Sequence, residues 1–185
     1  MVLTMSMRNP ILLPILLVAL SCSPSLARSA KDAMADRVYD ADGKHWTILM
    51  QPERQSCSLA TSFDGGALAY IGLDEDEADK LSFYFIFLKK GMEFSKSKKH
   101  DVKIEFWKDI VWRSEANGAA SQGYGGVHLR KLDRQFGVNF SQGGAMFVTI
   151  DGRDYGGYEL EGMREGMLRM LQCEADLDRG KIPAR

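Results

Sequence analysis

The sequence predicts a mainly β protein, an antiparallel β-sandwich or barrel that ends in a short C-terminal α-helix. Short apolar or alternating runs recur about every ten residues from residue 45 onward, and glycine-containing turn signals separate them. The apolar residues then change to helical spacing after Gly162. The chain has 185 residues, 45% of them hydrophobic, so a single globular domain is expected.

The pattern within each run indicates how the predicted strand is buried. In residues 103–107, Ile104 and Phe106 alternate with other side chains, which is typical of a strand with one solvated face. Residues 81–88 are almost continuously apolar, so this strand is expected to be covered on both faces. The predicted strands are 45–50, 56–63, 67–73, 81–89, 103–107, 110–113, 126–129, 137–140, 146–150 and 155–160.

Two local signals define the end of the predicted domain. Asp151 and Gly152 lie between two predicted strands and form the clearest hairpin signal in the chain. Beyond them, one apolar stripe predicts an amphipathic helix that carries Cys173 at its end. The stripe consists of Met163, Met167, Met170 and Leu171.

Residues 1–27 are predicted to be a signal peptide. Residues 11–20 form an apolar run that suits a secretory leader and is shorter than the roughly 20 residues that span a bilayer. Ser25 and Ala27 fit the small-x-small cleavage rule, which leaves a mature chain starting at Arg28. The alternative is a lipoprotein signal, in which Cys22 becomes the lipidated first residue.

The rest of the chain divides by composition into three parts. Residues 28–44 are small and charged, and we expect them to form a flexible spacer. Residues 45–173 are expected to form the single β-rich domain, and residues 174–185 a polar tail. The predicted location is periplasmic or secreted, and the lipoprotein alternative is anchored to the membrane.

Export also predicts a role for each of the three cysteines. Cys22 belongs to the leader or carries lipid, so Cys57 and Cys173 remain in an oxidising compartment. An even number of cysteines there predicts a disulfide between Cys57 and Cys173, which would join the C-terminal helix to the strand at 56–63. The alternative is two unpaired buried thiols.

The charge balance argues against a nucleic-acid partner. The chain has 24 Lys and Arg against 25 Asp and Glu, whereas phosphate neutralisation needs an excess of basic residues. One basic cluster nevertheless indicates an interaction surface for an anionic envelope component or an acidic protein, or else a charged loop that protects a sheet edge. The cluster consists of Lys89, Lys90, Lys96, Lys98, Lys99 and Lys103.

Catalytic, cofactor and metal motifs are not apparent in the sequence. The spacing of the three histidines matches no zinc site, and the acidic run 74–79 lacks the glycine of a calcium-binding EF-hand loop. We therefore predict no catalytic, cofactor-binding or metal residues. A site assembled in space from distant residues such as Ser121, His100 and His128 remains the hydrolase alternative.

Several features together resemble small exported proteins of the alphaproteobacterial envelope, the invasion-associated locus B type. They are the leader, Trp46 soon after it, Cys57, the glycine-punctuated strands, and the segment 158–162 followed by a Met- and Leu-rich helix. The resemblance covers the two ends of the mature chain, and residues 74–145 match no pattern of that family. It implies an exported β-sandwich linked to envelope or host interaction and to virulence, without established catalytic residues.

The expected function is that of an exported, non-enzymatic binding or interaction protein of the bacterial cell envelope. Its expected partner is a protein or an envelope component, and no membrane-spanning segment is expected after signal cleavage. The alternatives are a periplasmic hydrolase and an inhibitor of a cell-wall or host hydrolase. An inhibitor would present residues 118–126, which we expect to form a glycine-rich loop, to its target.

Overall fold

The structure is a computed structural model that describes residues 37–52, 54–74, 82–107, 109–142 and 144–181. The described residues form one ten-stranded antiparallel sheet and two helices, the second of them C-terminal, which confirms the predicted fold class. The strands are β1 (Arg37–Ala41), β2 (Thr47–Gln51), β3 (Ser56–Phe63), β4 (Ala67–Leu73), β5 (Phe83–Lys90), β6 (Lys99–Phe106), β7 (Ile110–Ser121), β8 (Tyr124–Leu132), β9 (Ala145–Ile150) and β10 (Arg153–Glu159). The helices are α1 (Arg134–Ser141) and α2 (Met163–Asp178).

The strand order is β1-β2-β3-β4-β5-β8-β7-β6-β9-β10. The first five strands follow the chain as a meander, so each pairs with its neighbour in sequence. The chain then passes to β6, and β8 rather than β6 pairs with β5. The β9–β10 hairpin turns at Asp151 and Gly152, as the sequence predicts, and extends the sheet beyond β6.

The sheet is strongly coiled, because aromatic side chains from strands far apart in this order meet on one face. The ring centroid of Tyr158 in β10 lies 4.9 Å from that of Phe63 in β3 and 5.3 Å from that of Phe87 in β5. The Lys89 ammonium of β5 also donates a hydrogen bond to the Tyr155 carbonyl oxygen of β10 at 2.9 Å. The sheet therefore wraps around this face, which we call the inner face.

Alternation along each strand sends apolar side chains to the inner face. Residues in register across neighbouring strands consequently form buried rows, and removal of their apolar surface from water stabilises the fold. One such row runs through β2, β3, β4, β5 and β8 and consists of Ile48, Leu59, Ile71, Phe85 and Leu129.

Helix α1 covers part of the inner face and corrects the prediction of a strand at 137–140. Asp133 caps its N-terminus by accepting a hydrogen bond from the Phe136 backbone N–H at 3.1 Å. Phe136 and Phe140, one helical turn apart, are both buried against Phe85, with ring centroids 5.5 and 5.8 Å from it. The short run of valine, asparagine and phenylalanine resembles a strand, but the cap and the four-residue spacing of the two rings determine a helix.

Helix α2 and β1 change the predicted domain boundaries. Residues 37–41, expected within the flexible spacer, pair with β2 as the edge of the sheet. Residues 174–178, expected within the polar tail, continue α2. Polar contacts bind both segments to the domain: Tyr39 donates to Asp176 at 2.7 Å, and the Cys57 backbone N–H donates to Glu174 at 2.8 Å. Those side chains are fixed by contacts between distant parts of the chain, which local composition does not reveal.

The structure contains the predicted disulfide. Cys57 of β3 and Cys173 of α2 are bonded through their Sγ atoms, with 6.1 Å between their Cα atoms. Both residues are buried in the core. The bond therefore joins the C-terminal helix covalently to the sheet.

Some sequence-based predictions concern residues outside the described ranges. The signal peptide at 1–27 and the lipidation candidate Cys22 are among them, as is the acidic run after Asp74. Among the helices in the described ranges, none combines the length and the apolar character needed to cross a membrane.

We expect the loss of the disulfide to destabilise the protein strongly. The bond joins residues separated by 116 positions, so replacing both Cys57 and Cys173 with alanine should lower the free energy of unfolding by up to about 4–5 kcal/mol, because a long closed loop is released in the unfolded chain. Chemical denaturation of both proteins measures the difference. Reductant should weaken the wild type and leave the double variant unchanged, whereas equal stability of the oxidised wild type and the variant contradicts this role of the bond.

Candidate ligand-binding groove

The face of the sheet opposite the helices carries a groove with a volume of about 500 Å³. We call it the outer-face groove. It crosses β2, β3, β4, β5 and β8, and its walls combine apolar, aromatic, hydroxyl and charged side chains. It is lined by Leu49, Gln51, Arg54, Ser56, Ser58, Tyr70, Leu73, Asp74, Tyr84, Ile86, Leu88, Ser121, His128 and Arg130.

Strand register places the central groove residues side by side. Tyr70 of β4 lies opposite Ile86 of β5, which in turn lies opposite His128 of β8. In a strand, these positions alternate with the core positions Ile71, Phe85 and Leu129, so they project to the other face. One antiparallel ladder thus supplies the core and the centre of the groove at the same time.

Small residues on β3 and β4 let the Tyr84 ring lie close to the sheet within the groove. Ser58 and Gly72 lie opposite each other on β3 and β4, and Gly72 lies opposite Tyr84. The edge of the Tyr84 ring lies over Gly72: a Cβ atom at that position would be 2.6 Å from the ring atoms. A larger residue at position 72 would displace Tyr84, so glycine is required for this close approach.

One end of the groove is cationic and built around a buried carboxylate. Asp74, whose side chain is only 2% exposed, accepts hydrogen bonds from the guanidinium of Arg130 through both carboxylate oxygens, one of them at 3.2 Å. The Lys131 backbone N–H donates to the same carboxylate at 2.9 Å. Because a bidentate pair fixes the plane of a guanidinium, Asp74 holds Arg130 in position, and the Arg130 side chain stays 42% exposed.

Arg54 lies at the same end of the groove. It belongs to the turn that joins β2 to β3, where its N–H donates to the Gln51 carbonyl oxygen at 3.0 Å. Since Ser58 lies opposite Gly72 in an antiparallel pair, Ser56 at the start of β3 is next to the end of β4, where Asp74 follows. Two guanidinium groups and one carboxylate therefore line this end.

Toward the other end of the groove the walls are mainly apolar, and Ser121 lies beyond them at its limit. Leu88 of β5 is 6% exposed, yet it does not belong to the core cluster on the inner face. With Ile86 and Tyr70 it forms a hydrophobic wall beyond the two arginines. The continuous apolar run of β5 predicted a strand covered on both faces, but Tyr84 and Ile86 are only half-buried, and they line the groove instead.

His128 lies in the middle of the groove and is uncharged at neutral pH. Burial lowers the pKa of its imidazole, the positive charge of Arg130 lowers it further, and the negative charge of Asp74 only partly opposes them. Its ring meets the Tyr84 ring edge to face, with 5.8 Å between centroids. The centre of the groove is thus neutral and aromatic.

The structure separates the residues of the hydrolase alternative. Ser121 and His128 both line the groove, but Ser121 pairs with Tyr124 and His128 pairs with Asn117, so they are four residues apart along the strands. That spacing corresponds to about 13 Å, beyond hydrogen-bond reach. His100 is buried on the inner face, where its Nδ1 lies 2.8 Å from an Asp151 carboxylate oxygen. This hydrogen bond lowers the pKa of Asp151. The three side chains do not form a catalytic group.

The predicted basic cluster is divided by the fold. Lys89 points to the inner face and bonds to β10, and Lys103 pairs with Glu105 at 2.7 Å. The remaining four lysines are exposed, and an interaction surface on them stays a prediction. They are Lys90, Lys96, Lys98 and Lys99.

The glycine-rich segment 118–126 is not the expected loop. It forms the end of β7 and the start of β8, which pair from Ser121 and Tyr124 onward around a two-residue turn. Both turn residues, Gln122 and Gly123, have positive φ angles, which suit a tight hairpin. Among the described residues, no cluster of histidine, cysteine or acidic side chains has the geometry of a metal site.

Sequence reasoning did not identify the main groove residues Tyr70, Tyr84, Asp74 and Arg130. Two signals point to the groove: a glycine inside the strand at 67–73 indicates a close approach, and β5 is apolar on both faces. The pairing of Asp74 with Arg130 has no comparable signal, because it depends on β8 pairing with β5.

A concave site with this volume and this mixture of apolar and polar lining residues has the properties that are typical of small-molecule sites in proteins. Comparison of the chain with protein-family models, with curated proteins and with solved structures found no match. The groove itself is therefore the basis for assigning a function.

Acidification is expected to destabilise the protein through His128. The unfolded chain binds a proton near the ordinary pKa of 6.5 and the folded chain only at lower pH, so the stability that neutral His128 contributes is present above pH 6.5 and is lost as the pH falls toward the folded pKa. The loss of unfolding free energy between pH 7 and pH 5 should thus be smaller in His128→Gln. Urea denaturation at both pH values measures this loss of unfolding free energy. The control is Lys99→Gln, because Lys99 lies in the same cross-strand row as His128. Identical pH dependence in wild type and His128→Gln would contradict the shifted pKa.

Proposed function

We propose that the protein is an exported, non-enzymatic binding protein of the bacterial cell envelope that holds a small ligand in the outer-face groove. The observation that carries the proposal is the groove itself, about 500 Å³ in volume. Ligand sites in proteins usually measure about 300–1,000 Å³ and combine apolar walls with a few fixed polar groups. The apolar wall at Ile86 and the fixed guanidinium of Arg130 fit that description.

Export is supported by the sequence and by the disulfide. The first 27 residues have the apolar run and the small residues of a secretory leader. A buried disulfide between Cys57 and Cys173 suits an oxidising compartment such as the periplasm or the exterior of the cell. The proposed protein is released at Arg28, and the lipoprotein alternative keeps it on the membrane through Cys22.

Binding is favoured over hydrolysis by the positions of the polar side chains. Acyl transfer needs a nucleophile within about 3 Å of its base. By strand spacing, His128 lies well beyond that distance from Ser121, and two strands, β4 and β5, lie between His128 and Ser58. A groove that fixes Arg130 and presents uncharged His128 is suited to holding a molecule.

Site-specific photo-crosslinking in the full chain tests the proposal. A benzoylphenylalanine in place of Leu49 lies in the groove. The control carries the same label in place of Phe147, which is also on the outer face of the sheet but in β9, outside the groove, and is 47% exposed. After irradiation in the bacterial envelope, the denatured protein with the label at position 49 should carry a discrete small-molecule adduct in its intact mass spectrum. The protein labelled at position 147 should not.

The same spectrum tests export. We expect a mature chain that begins at Arg28, or at a lipid-bearing Cys22 for the anchored form. Retention of residues 1–27 contradicts export. A chain without an adduct at position 49, or equal labelling at both positions, contradicts binding in the groove.

A further inference from the structure

We infer that the outer-face groove binds a free, single-tailed anionic amphiphile, with the anionic group at the arginine end and the tail against Leu88. The inference rests on the proposed binding function and adds the chemical class of the ligand. It follows from the way in which charge and apolar surface are distributed along the strands.

The charged end is suited to an anion. Among the described residues that line it, Arg54 and Arg130 supply two positive charges, and Asp74 supplies one negative charge that is buried and already bonded to Arg130. The bidentate bond to Asp74 fixes the Arg130 guanidinium before a ligand arrives, which reduces the entropy lost on binding. Arginine in a fixed plane suits the two oxygens of a carboxylate or a phosphate.

The apolar end is suited to a chain of methylene groups. Tyr70, Ile86 and Leu88 contribute apolar surface there, and Ile86 lies between Tyr70 and His128 in one cross-strand row. Because burial lowers the pKa of His128, the middle of the groove is uncharged at neutral pH. An apolar tail can therefore extend from the arginines toward Leu88 without meeting a second charged group among the described lining residues.

The burial of two lining residues favours a free molecule over a membrane surface as the ligand. Ser58 in the groove is 3% exposed, and Leu88 is nearly as buried. Neighbouring side chains cover most of the surface of both, so a flat headgroup layer does not reach them, and a tail reaches them only by entering the groove between those side chains. The ligand is therefore a dissolved molecule with one tail.

Isothermal titration calorimetry with decanoate and decanol tests the inference, since the two probes share a tail and differ in charge. Wild-type protein should bind decanoate about tenfold more tightly than decanol, as expected for one charge-assisted contact. Arg54→Gln should remove most of that difference and leave decanol binding unchanged. Lys98→Gln is the matched control, because it removes an exposed positive charge outside the groove, and it should behave as the wild type.

Two further variants identify the site. Tyr70→Ala should weaken both probes at least several-fold, and Phe147→Ala, which removes an exposed aromatic ring from β9, should weaken neither. Circular dichroism confirms that each variant is folded. If Tyr70→Ala proves unfolded, Arg54→Gln alone tests the site: loss of its preference for decanoate supports the inference, and an unchanged preference overturns it.

The outcomes separate the inference from the proposed function. Equal affinity for decanoate and decanol, with both weakened by Tyr70→Ala, overturns the anionic class and leaves a binding groove. Binding to anionic vesicles but not to decanoate overturns the free amphiphile. If neither probe binds, the inferred ligand class is wrong, while the crosslinked adduct at position 49 still decides whether the groove binds a ligand.

Discussion

The constraint on which the rest of the structure depends is the wrapping of a single sheet around one core. Tyr158 of β10 reaches Phe63 and Phe87 only because the sheet coils until its distant strands share the inner face. Both helices pack on that face, so it holds most of the large apolar side chains. The side chains of the opposite face do not belong to this core, and some of them line the groove. The stability of the fold and the proposed ligand binding thus depend on alternate residues of the same strands.

The C-terminal helix α2 is bonded to two strands of the sheet. It is joined to β3 by the disulfide and by the contact between Glu174 and the Cys57 backbone, and to β1 by the contact between Asp176 and Tyr39. The Tyr39 hydroxyl also lowers the pKa of the Asp176 carboxyl, which fits a carboxylate that accepts this bond in the folded state. All of these contacts lie on the side of the helices, away from the groove. Strand β3 of the groove is therefore bonded, on its opposite face, to helix α2 by a covalent bond and by a hydrogen bond.

The features that follow from local sequence were predicted, and those that depend on distant pairing were not. The period of two in the strands and the turn at Asp151 and Gly152 are local, as is the spacing of Met163 and Met167. The role of β1 as an edge strand depends on β2, and the bond between Asp74 and Arg130 depends on β8 passing next to β5. Helix α1 lies between these cases: its cap at Asp133 is local, but the glycine and β-branched residue within it conceal the helical pattern. The sequence indicated the groove only through the glycine inside the strand at 67–73 and the apolar outer side of β5.

We propose that the inner face stabilises the fold while the outer face binds the ligand. Amide chemical-shift mapping by NMR during titration with decanoate tests it most directly, because every strand reports both faces at once. We expect the largest shifts at Ser58, Ile86 and His128, with small shifts at the inner-face helices and at Phe147 of β9. Shifts concentrated on α1 and α2, or around Phe147, would contradict the claim, because the ligand would then lie in the core or on another part of the sheet.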